Sequence, residues 1–428
     1  MSPLFICLIG LAAFFLVMSQ GMPIAFAFAM VGFVGIILLK GLGPGLAVVG
    51  SAPYTWATMG ALLPVPLFML MGQFMYHSGF STELYAAAHK WLGRRAGGLA
   101  LATTMASTGF AACSGASLAG AATMGAVAYP EMKAFKYHPR LATGCIAAGG
   151  SLSCLIPPSA AFIVYGVLTE TSIGKLFIAG IIPGLLLAGL YMTAIYIMCR
   201  RNPMLGPPGP AYPLREKLAS LKGILGVLAL FILVIGGLFV GVFTPSEAGA
   251  MGAFGAFVIM ALRGRLTMPT LVRALKDSIT TTSFVLTITI GAMIFSNFLA
   301  LGGFSSLFRE WVTALPVSRH IIMICILLIY IPLGMFMDGL AMLLLTIPIV
   351  FPIVKSFGFD PVWFGVILTL IVEMALITPP VGMNSYVVHG VTKVPLEEVF
   401  RGIIPFFLMM MACLALLYAF PQITLVLL

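Results

Sequence analysis

Apolar runs long enough to cross a lipid bilayer recur along the whole of this chain. A membrane-spanning helix needs about 18 or more predominantly apolar residues, because it rises ~1.5 Å per residue through a hydrocarbon core of ~30 Å. Of the 428 residues, 61% are hydrophobic and 8% are charged, whereas a soluble domain is about one-quarter charged. The sequence therefore predicts an all-α polytopic membrane protein whose solvent is the lipid bilayer, with no stretch left for a large soluble domain.

The basic residues are predicted to orient the chain in the membrane. The 22 Lys and Arg contribute to a net charge of +10, but they lie in short loops between apolar runs, which argues against nucleic-acid binding. The seven cysteines are scattered through apolar segments without a CxxC pair. The sequence also has no P-loop, dinucleotide fingerprint or Ser-His-Asp arrangement. We therefore expect no enzyme activity and no organic cofactor, and energy must come from an ion gradient or another subunit.

Two internal repeats are related by an offset of 222 residues. At this offset six prolines of the first half fall on prolines of the second, and "GIIP" occurs at 180–183 and again at 402–405. The paired prolines are Pro23 and Pro245, Pro130 and Pro352, Pro139 and Pro361, Pro157 and Pro379, Pro158 and Pro380, and Pro183 and Pro405. Such self-similarity at a fixed period predicts two copies of one structural unit.

Each repeat is predicted to contain five membrane crossings and one re-entrant hairpin. The first repeat covers 1–200, with a hairpin at 98–130 and a broken helix at 141–168; a cytoplasmic linker follows at 201–222; the second repeat covers 223–428, with a hairpin at 318–356 and a broken helix at 362–391. The crossings are predicted at 4–20, 23–39, 60–80, 141–168 and 173–199, and at 223–243, 245–262, 283–303, 362–391 and 401–426. Because five is odd, the two repeats are expected to have inverted topology.

The hairpins are predicted from segments too long and too interrupted for one span. Their centres, "ACSGASLAG" at 112–120 and "FMDGLAML" at 336–343, are small or polar, and non-helical backbone at membrane depth is tolerated where it lines a cavity. With the N-terminus on the periplasmic side, 17 of the 22 Lys and Arg fall in inner loops. This excess follows the rule that basic residues lie inside and supports the layout.

Two adjacent prolines interrupt one crossing in each repeat, in "LIPPS" at 155–159 and "ITPPVGMN" at 377–384. Proline lacks an N–H group and clashes with the preceding turn, so both helices are expected to unwind there. The upstream helix end then presents carbonyls to a cation, and the downstream end presents N–H groups to an anion. Simple helix kinks are the alternative, but matched breaks in two repeats favour a transporter's binding site.

Few polar side chains are available near these breaks. Ser114 and Ser117 flank Gly115 at the first hairpin tip, and Asp338 lies at the second, where an ionisable group at membrane depth is costly and favours a function. Glu247 is expected to complement a helix N-terminus, whereas Glu373 lies a turn or two before the second break and could face a cation. Sodium suits sites built from carbonyls and hydroxyls, and a proton carried by Asp338 or Glu373 is the alternative.

Five stretches together resemble the large membrane subunit of tripartite ATP-independent periplasmic (TRAP) transporters. They are "GMPIAFAFAMVG" at 21–32, "SGAS" at 114–117, "IPPSAAFIVYGVLTETSIGKLFIAGIIPGLLL" at 156–187, "GVFTPSEAGAMGA" at 241–253 and "LITPPVGMNSYVV" at 376–388. The resemblance runs from end to end of the chain. Ala116 and Gly120 depart from the family pattern, which often has a third serine or an Asp there.

The resemblance implies an ion-transporter-superfamily fold and an elevator mechanism, in which a mobile transport domain slides against a static scaffold. It implies sodium-coupled uptake of a carboxylate across a bacterial inner membrane, with Na+ as the coupling ion. The substrate would be a C4-dicarboxylate, a sialic acid, or a similar sugar or keto acid. A periplasmic binding protein would deliver it, and a separate small membrane subunit of four helices would brace the scaffold.

The resemblance also implies where ions and substrate bind. One sodium site would lie between the first tip, at Ser114 and Gly115, and the first break, at Ser153 and Pro157. The second would lie between Asp338 and the second break, at Thr378, Pro379, Gly382 and Asn384. Substrate would bind between the tips, at Ser114, Ser117, Ser159 and Asp338.

Three other functions fit part of the sequence. A single-component elevator carrier for dicarboxylate or citrate would share the repeats, hairpins and breaks but need no binding protein. A non-transporting membrane scaffold would use its prolines only as kinks. An ion channel is the third, although nothing in the sequence resembles a repeated filter.

Overall fold

A computed structural model describes residues 2–428, and over that range the chain forms twenty α-helices and two short 3₁₀ turns. The first half holds α1 Pro3–Ser19, α2 Ile24–Lys40, α3 Leu42–Ala57, α4 Pro64–His77, α5 Phe80–Leu92, α6 Gly98–Ser114, α7 Ser117–Ala134, α8 Pro139–Leu155, α9 Ala160–Thr169 and α10 Ile173–Arg201. The second half holds α11 Leu214–Phe239, α12 Pro245–Leu262, α13 Met268–Leu301, α14 Phe304–Thr313, α15 Arg319–Gly334, α16 Gly339–Ser356, α17 Pro361–Ile377, α18 Met383–Thr392, α19 Leu396–Ala419 and α20 Gln422–Leu425.

The all-α polytopic membrane class predicted from the sequence is confirmed. Within residues 2–428, seven helical spans are long and apolar enough to cross a membrane, or eight if α3 and α4, which meet at a bend of 52°, count as one. Four further apolar helices, α1, α2, α15 and α17, have 16 or 17 residues. The total of ten crossings and their sidedness stay predictions.

The offset of 222 residues holds for helices as well as for prolines. Adding 222 to the bounds of α8 gives 361–377, the bounds of α17, and adding it to the bounds of α7 gives 339–356, the bounds of α16. The hairpins α6–α7 and α15–α16 therefore correspond, as do the broken helices α8–α9 and α17–α18. The Pro157–Pro158 and Pro379–Pro380 peptide bonds are both cis.

Two predicted crossings differ in extent from the helices that contain them. The crossing at 60–80 is the shorter α4, which follows α3 across the bend, whereas the crossing at 283–303 belongs to α13, a single helix of 34 residues. Thr267 caps α13 through its hydroxyl, so the helix begins well before its apolar part. Hydropathy alone missed this start because it carries exposed polar groups such as Asp277.

Two short helices and part of the linker were also missed. α5 and α14 have 13 and 10 residues, too few for a crossing, so a search for span-length runs passed over them. The predicted linker at 201–222 is helical from Leu214 onward. Its irregular part pairs with the base of the first hairpin, since Gly97 N donates to Gly206 O at 2.9 Å and Gly209 N donates to Gly93 O at 2.8 Å.

The helices pack in two groups, and each group mixes the two halves. In the first, α2 packs on α13 and α4 on α12, with α1, α3 and α11 alongside. In the second, the two hairpins and the two broken helices pack together with α10 and α19. Glycines allow backbone-close contact within both groups, as at Gly32 against Phe295 and at Gly144 against Gly402. α4 and α13 also contact α6 and α16, so the groups share one interface.

Candidate functional site

The first hairpin tip is held against the first helix break. α6 ends at Ser114, and Gly115 turns the chain with φ +61°, a left-handed conformation that glycine adopts without penalty. A β-carbon on Gly115 would lie 2.8 Å from the Pro158 carbonyl oxygen. The Gly115 carbonyl accepts a hydrogen bond from Ala160 N at 3.3 Å. Tip and break therefore meet backbone to backbone.

The first break is fully enclosed. Residues 151–160 are all buried, and the Ser159 hydroxyl caps α9 by accepting from Phe162 N at 3.4 Å. Ser153, at 1% exposure, lies in the last turn of α8, and its Oγ would be 2.6 Å from a β-carbon on Gly120. Small residues at these positions let the break, the tip and α7 approach one another closely.

At the second tip and break, the side chains of Asp338 and Thr378 make hydrogen bonds to backbone, whereas the first tip and break are joined by a hydrogen bond between main-chain groups. Asp338 caps α16, and its Oδ2 accepts from Leu340 N at 3.1 Å and Ala341 N at 3.4 Å. Thr378 Oγ1 donates to Met374 O at 2.7 Å. Gly382, with φ +50°, starts α18 just before Asn384, which is completely buried. The Pro379–Pro380 pair, which lies between Thr378 and Gly382, is exposed.

Both tips face one cavity of about 280 Å³. Gly115 and Ser117 line it from the first hairpin, and Asp338 lines it from the second. Cys154 of α8 and Glu373 of α17 complete its inner wall. Among residues 2–428 no Lys or Arg lines this cavity. The hairpin tips and the helix breaks, which are separate in the sequence, therefore meet at a single cavity.

Glu373 lies where the elements of the cavity meet. Its side chain is 3% exposed, and its carboxyl lies beside Cys154, Ser117 and Asn384. These neighbours belong to α8, to α7 of the first hairpin and to α18 beyond the second break. We call each hairpin tip, together with the helix break of the same half, a half-site. A buried carboxyl that contacts elements of both half-sites can couple them electrostatically when it ionises or binds a cation, because charges interact strongly at low dielectric.

Several buried polar atoms near the cavity have no hydrogen-bond partner among the residues that the structure describes. They are Ser114 Oγ, Ser153 Oγ, Glu373 Oε2, both amide atoms of Asn384 and Ser385 Oγ. Each unmade hydrogen bond of a buried group costs about 1–3 kcal/mol. A cluster of oxygen atoms in this state at the tips and breaks is an arrangement that a bound cation or polar substrate would satisfy.

The structure brings together only part of the set predicted from the sequence. Gly115, Ser117 and Asp338 line the central cavity, and Ser114 lines an adjoining one. Asn384 lies beside Glu373, which lines the central cavity. Ser153 lies in the last turn of α8, just before the first break. The remaining predicted residues lie within the breaks themselves and are Pro157, Ser159, Thr378, Pro379 and Gly382.

Sequence reasoning missed other residues of the site. Cys154 and Ser385 neighbour predicted positions, but a small apolar thiol and a lone serine carry little signal. Thr281 and Phe284 line the cavity from α13, which no local pattern could connect to the tips. Glu247, in contrast, is the helix-capping residue that was predicted: its Oε2 accepts from Thr244 N at 2.8 Å, forming a capping box.

A second cavity of about 380 Å³ adjoins the first. Ala116, Ala119 and Thr281 line both. It extends between α4, α7 and α13 as far as Asp277, whose Oδ2 lies 3.6 Å from His77 Nε2. The second cavity therefore extends the central cavity towards the N-terminus of α13.

Comparison with known proteins identifies close relatives over nearly the whole chain. The family model "Tripartite ATP-independent periplasmic transporter, DctM component" matches residues 11–423. The chain is 36% identical over 367 residues to the C4-dicarboxylate TRAP transporter large permease protein DctM of Pseudomonas aeruginosa, covering 86% of each. It is 33% identical over 412 residues to the sialic acid TRAP transporter large permease protein SiaM of Vibrio cholerae, covering 95% of each.

A solved structure has a similar fold. The YdaH transporter of Alcanivorax borkumensis, whose crystal structure is described as having an unusual topology, superposes with a TM-score of 0.63 at 16% identity and 89% coverage of each chain. At this identity the likeness concerns the fold alone. The helical architecture described above is therefore one that a membrane transporter also adopts.

Proposed function

Since this chain belongs to the DctM component family of tripartite ATP-independent periplasmic transporters, we propose that it imports a small carboxylate, coupled to sodium, by an elevator mechanism. The observation that carries the proposal is the single cavity on which both hairpin tips and the inner wall between the two breaks converge. The relatives are named as transporter permeases rather than as enzymes. The chain is a multi-pass permease, and we place it in the bacterial inner membrane with its N-terminus in the periplasm.

Helix N-termini support an anionic substrate. The first residues of α7, α9 and α16 all line the central cavity, at Ser117, Ala160 and Gly339. The free N–H groups and partial positive charge of helix N-termini attract anions. Since no basic side chain lines the cavity among the described residues, these termini are its main attraction for a carboxylate. The relatives' names suggest a C4-dicarboxylate or a sialic acid as the class of substrate.

The acidic side chains support cation coupling. Asp338 and Glu373 line the same cavity, so an anionic substrate would meet two carboxyl groups unless cations neutralise them. The unpartnered atoms at the tips and breaks are mostly oxygens, and hard cations prefer oxygen ligands. These residues fit sodium ions, which would supply positive charge beside the substrate. A proton on Asp338 or Glu373 is the alternative coupling ion.

The two packing groups support movement of one part against the other. Their interface includes Gly72 of α4, where a β-carbon would lie 2.8 Å from the Cys113 carbonyl oxygen near the first tip. The second cavity opens the site towards the start of α13, where Arg273 and Lys276 fall on the predicted inner side. We interpret this arrangement as the inward-facing state of an elevator.

The proposed partners are a periplasmic binding protein and a small four-helix membrane subunit. The decisive experiment reconstitutes the chain with both partners in proteoliposomes and measures substrate uptake with and without an inward sodium gradient. Each partner is then omitted in turn. We expect uptake only with sodium, the binding protein and the small subunit together.

Other outcomes would assign another function. Uptake by this chain alone would make it a single-component carrier, and uptake that follows a proton gradient without sodium would remove sodium from the mechanism. If the complete system shows no uptake although the complex assembles, the remaining candidate is a membrane scaffold.

A further inference from the structure

Two adjoining cavities in the second half lie apart from the transport site, and we propose that together they bind one glycerophospholipid with a zwitterionic ethanolamine headgroup. The first cavity, about 190 Å³, is the polar mouth; its lining includes Arg319, His320, Phe359, Asp360, Trp363 and Tyr418. The second, about 330 Å³, is the apolar groove; its lining includes Ile324, Leu328, Ile371, Met374, Met411 and Tyr418. Because both include Tyr418, mouth and groove form one amphipathic site.

The groove has the form of an acyl-chain site. α15 and α19 both pack on α17, which supplies a buried floor at Ile371 and Met374, each 1% exposed. The walls stay open, with Leu328 of α15 at 55% exposure and Met411 of α19 at 48%. An apolar trough with a closed floor and open walls can hold a hydrocarbon chain along its length.

The length of the site matches one leaflet of a bilayer. His320 lies at the mouth and Ile331 at the far end of the groove, both on α15. This distance along a helix is about 16 Å at ~1.5 Å per residue, close to half of a hydrocarbon core of ~30 Å. A headgroup at the mouth would therefore place its acyl chain within a single leaflet.

The charges of the mouth match a zwitterion. Arg319 Nη1 donates to Phe357 O at 3.3 Å, and its remaining N–H groups are available for a phosphate. Asp360 Oδ1 accepts from Val362 N at 2.8 Å and Trp363 N at 2.9 Å, which leaves its second oxygen for an ammonium. Throughout residues 2–428, neither Arg319 nor Asp360 is in a salt bridge.

The aromatic rings of the mouth are fixed by their own contacts. Trp363 Nε1 donates to Leu417 O at 2.9 Å, and its ring stacks on Phe359 at 5.4 Å. His320 Nδ1 is 3.0 Å from the Tyr418 hydroxyl. Tryptophan and tyrosine favour the membrane interface, and ring faces attract ammonium groups. The mouth is therefore a preformed aromatic pocket at headgroup depth.

The test is native mass spectrometry of the full-length chain, delipidated in detergent and titrated with dioleoyl phosphatidylethanolamine and dioleoyl phosphatidylglycerol. We expect the wild type to prefer the ethanolamine lipid. Arg319→Ala should weaken binding of both lipids about tenfold, because a charge-assisted phosphate contact is lost. Asp360→Asn keeps the helix cap, since Asn caps as well as Asp, and should remove only the preference for ethanolamine. Arg309→Ala, an exposed arginine on α14, is the charge control.

The groove is tested separately from the mouth. Leu328→Trp should fill the groove and weaken both lipids, whereas Ile329→Trp, on the neighbouring exposed face of α15, should bind as wild type. A thermal unfolding curve for each variant verifies that it is folded. Wild-type binding by Arg319→Ala and Leu328→Trp, a preference for the glycerol lipid, or equal binding of soluble phosphoethanolamine would each overturn the proposal. Because the readout is lipid binding, failure here leaves the transport proposal untouched.

Discussion

The two tip-and-break pairs follow the same backbone plan but differ in chemistry. In the first, the Gly115 carbonyl accepts from Ala160 N, and every residue from 151 to 160 is buried. In the second, Asp338 is half-buried at the tip and the Pro379–Pro380 pair is exposed. The first pair is closed by main-chain contact, whereas the second presents side chains around a more open break.

The repeat offset shows where this difference arises. Position 116 of the first tip corresponds to 338 of the second, where Ala116 stands opposite Asp338. Position 151 corresponds to 373, where Ser151, whose Oγ lies 3.0 Å from the Tyr191 hydroxyl, stands opposite Glu373. Both acids of the cavity therefore come from the second half. A duplicated framework has been kept while its carboxyl groups are confined to one copy.

Removing the charge of the second tip should have the largest effect. Asp338→Asn keeps the cap on α16, because Asn serves as well as Asp at this position, but it removes an ionic ligand. We expect uptake in proteoliposomes to fall about 100-fold, as for loss of a charged hydrogen-bonding group worth ~3 kcal/mol. Normal uptake by a folded Asp338→Asn protein would exclude this carboxylate from transport.

Glu373→Gln tests the acid that the two half-sites share. The amide keeps the size of the side chain beside Cys154 and Asn384 but can neither ionise nor bind a cation as a carboxylate does, so we expect uptake to fall about 30-fold. Glu247→Gln is the matched control, since Gln also completes a capping box, and it should transport normally. Equal activity of the two variants would contradict a role for Glu373 in coupling the half-sites.

A methyl group should harm the first pair more than the second. Gly115→Ala would place a β-carbon 2.8 Å from backbone, so the tip must shift, and we expect a loss of uptake of about 30-fold. Gly382→Ala meets a ring carbon of the Phe400 side chain, rather than backbone, at 2.9 Å and should lose about threefold. Gly21→Ala, with φ +87° and nothing described within 4 Å, controls for left-handed strain alone. Equal losses at 115 and 382 would remove the distinction between a closed and an open pair.

A smaller effect than the losses at Asp338, Glu373 and Gly115 is expected in the sodium titration. Asn384→Ala removes a buried amide that has no partner among the described residues, and should raise the half-saturating sodium concentration about tenfold. Asn297→Ala is the control, because the Asn297 amide already donates to Met293 O at 3.0 Å in α13. Overlapping sodium curves for wild type and Asn384→Ala would place the ion elsewhere.

The backbone of the site could be predicted because its signals are local. Adjacent prolines and the tip at 114–117 mark where helices must stop, and the structure has α8 ending at Leu155 and α17 ending at Ile377. The repeat offset then related the second half to the first. Helix ends and hairpins are set by residues a few positions apart, and the relation between the halves follows from the same local signals recurring at the repeat offset.

The assembled cavity could only partly be predicted because its contacts are distant in sequence. Glu373 meets Ser117 and Cys154, and Thr281 of α13 lines the same space. Such contacts depend on how helices pack, which apolar periodicity leaves open when nearly every face of a helix is apolar. The extent of α13 was missed for a related reason, since its polar first turns carry no membrane signal.

The interleaved packing of the two halves has a consequence for synthesis of the protein. α2 packs on α13, α4 on α12, α7 on α18 and α8 on α19, so each of these first-half helices has a partner in the second half. When the ribosome has completed the first ten helices, the faces that pack on the second half, such as those at Gly32 and Gly144, still have no partner. The first group cannot close until α13 has entered the membrane, and the second cannot close until α19, the last long helix, has entered. The nascent first half must therefore be kept from wrong associations while most of the second half is synthesised.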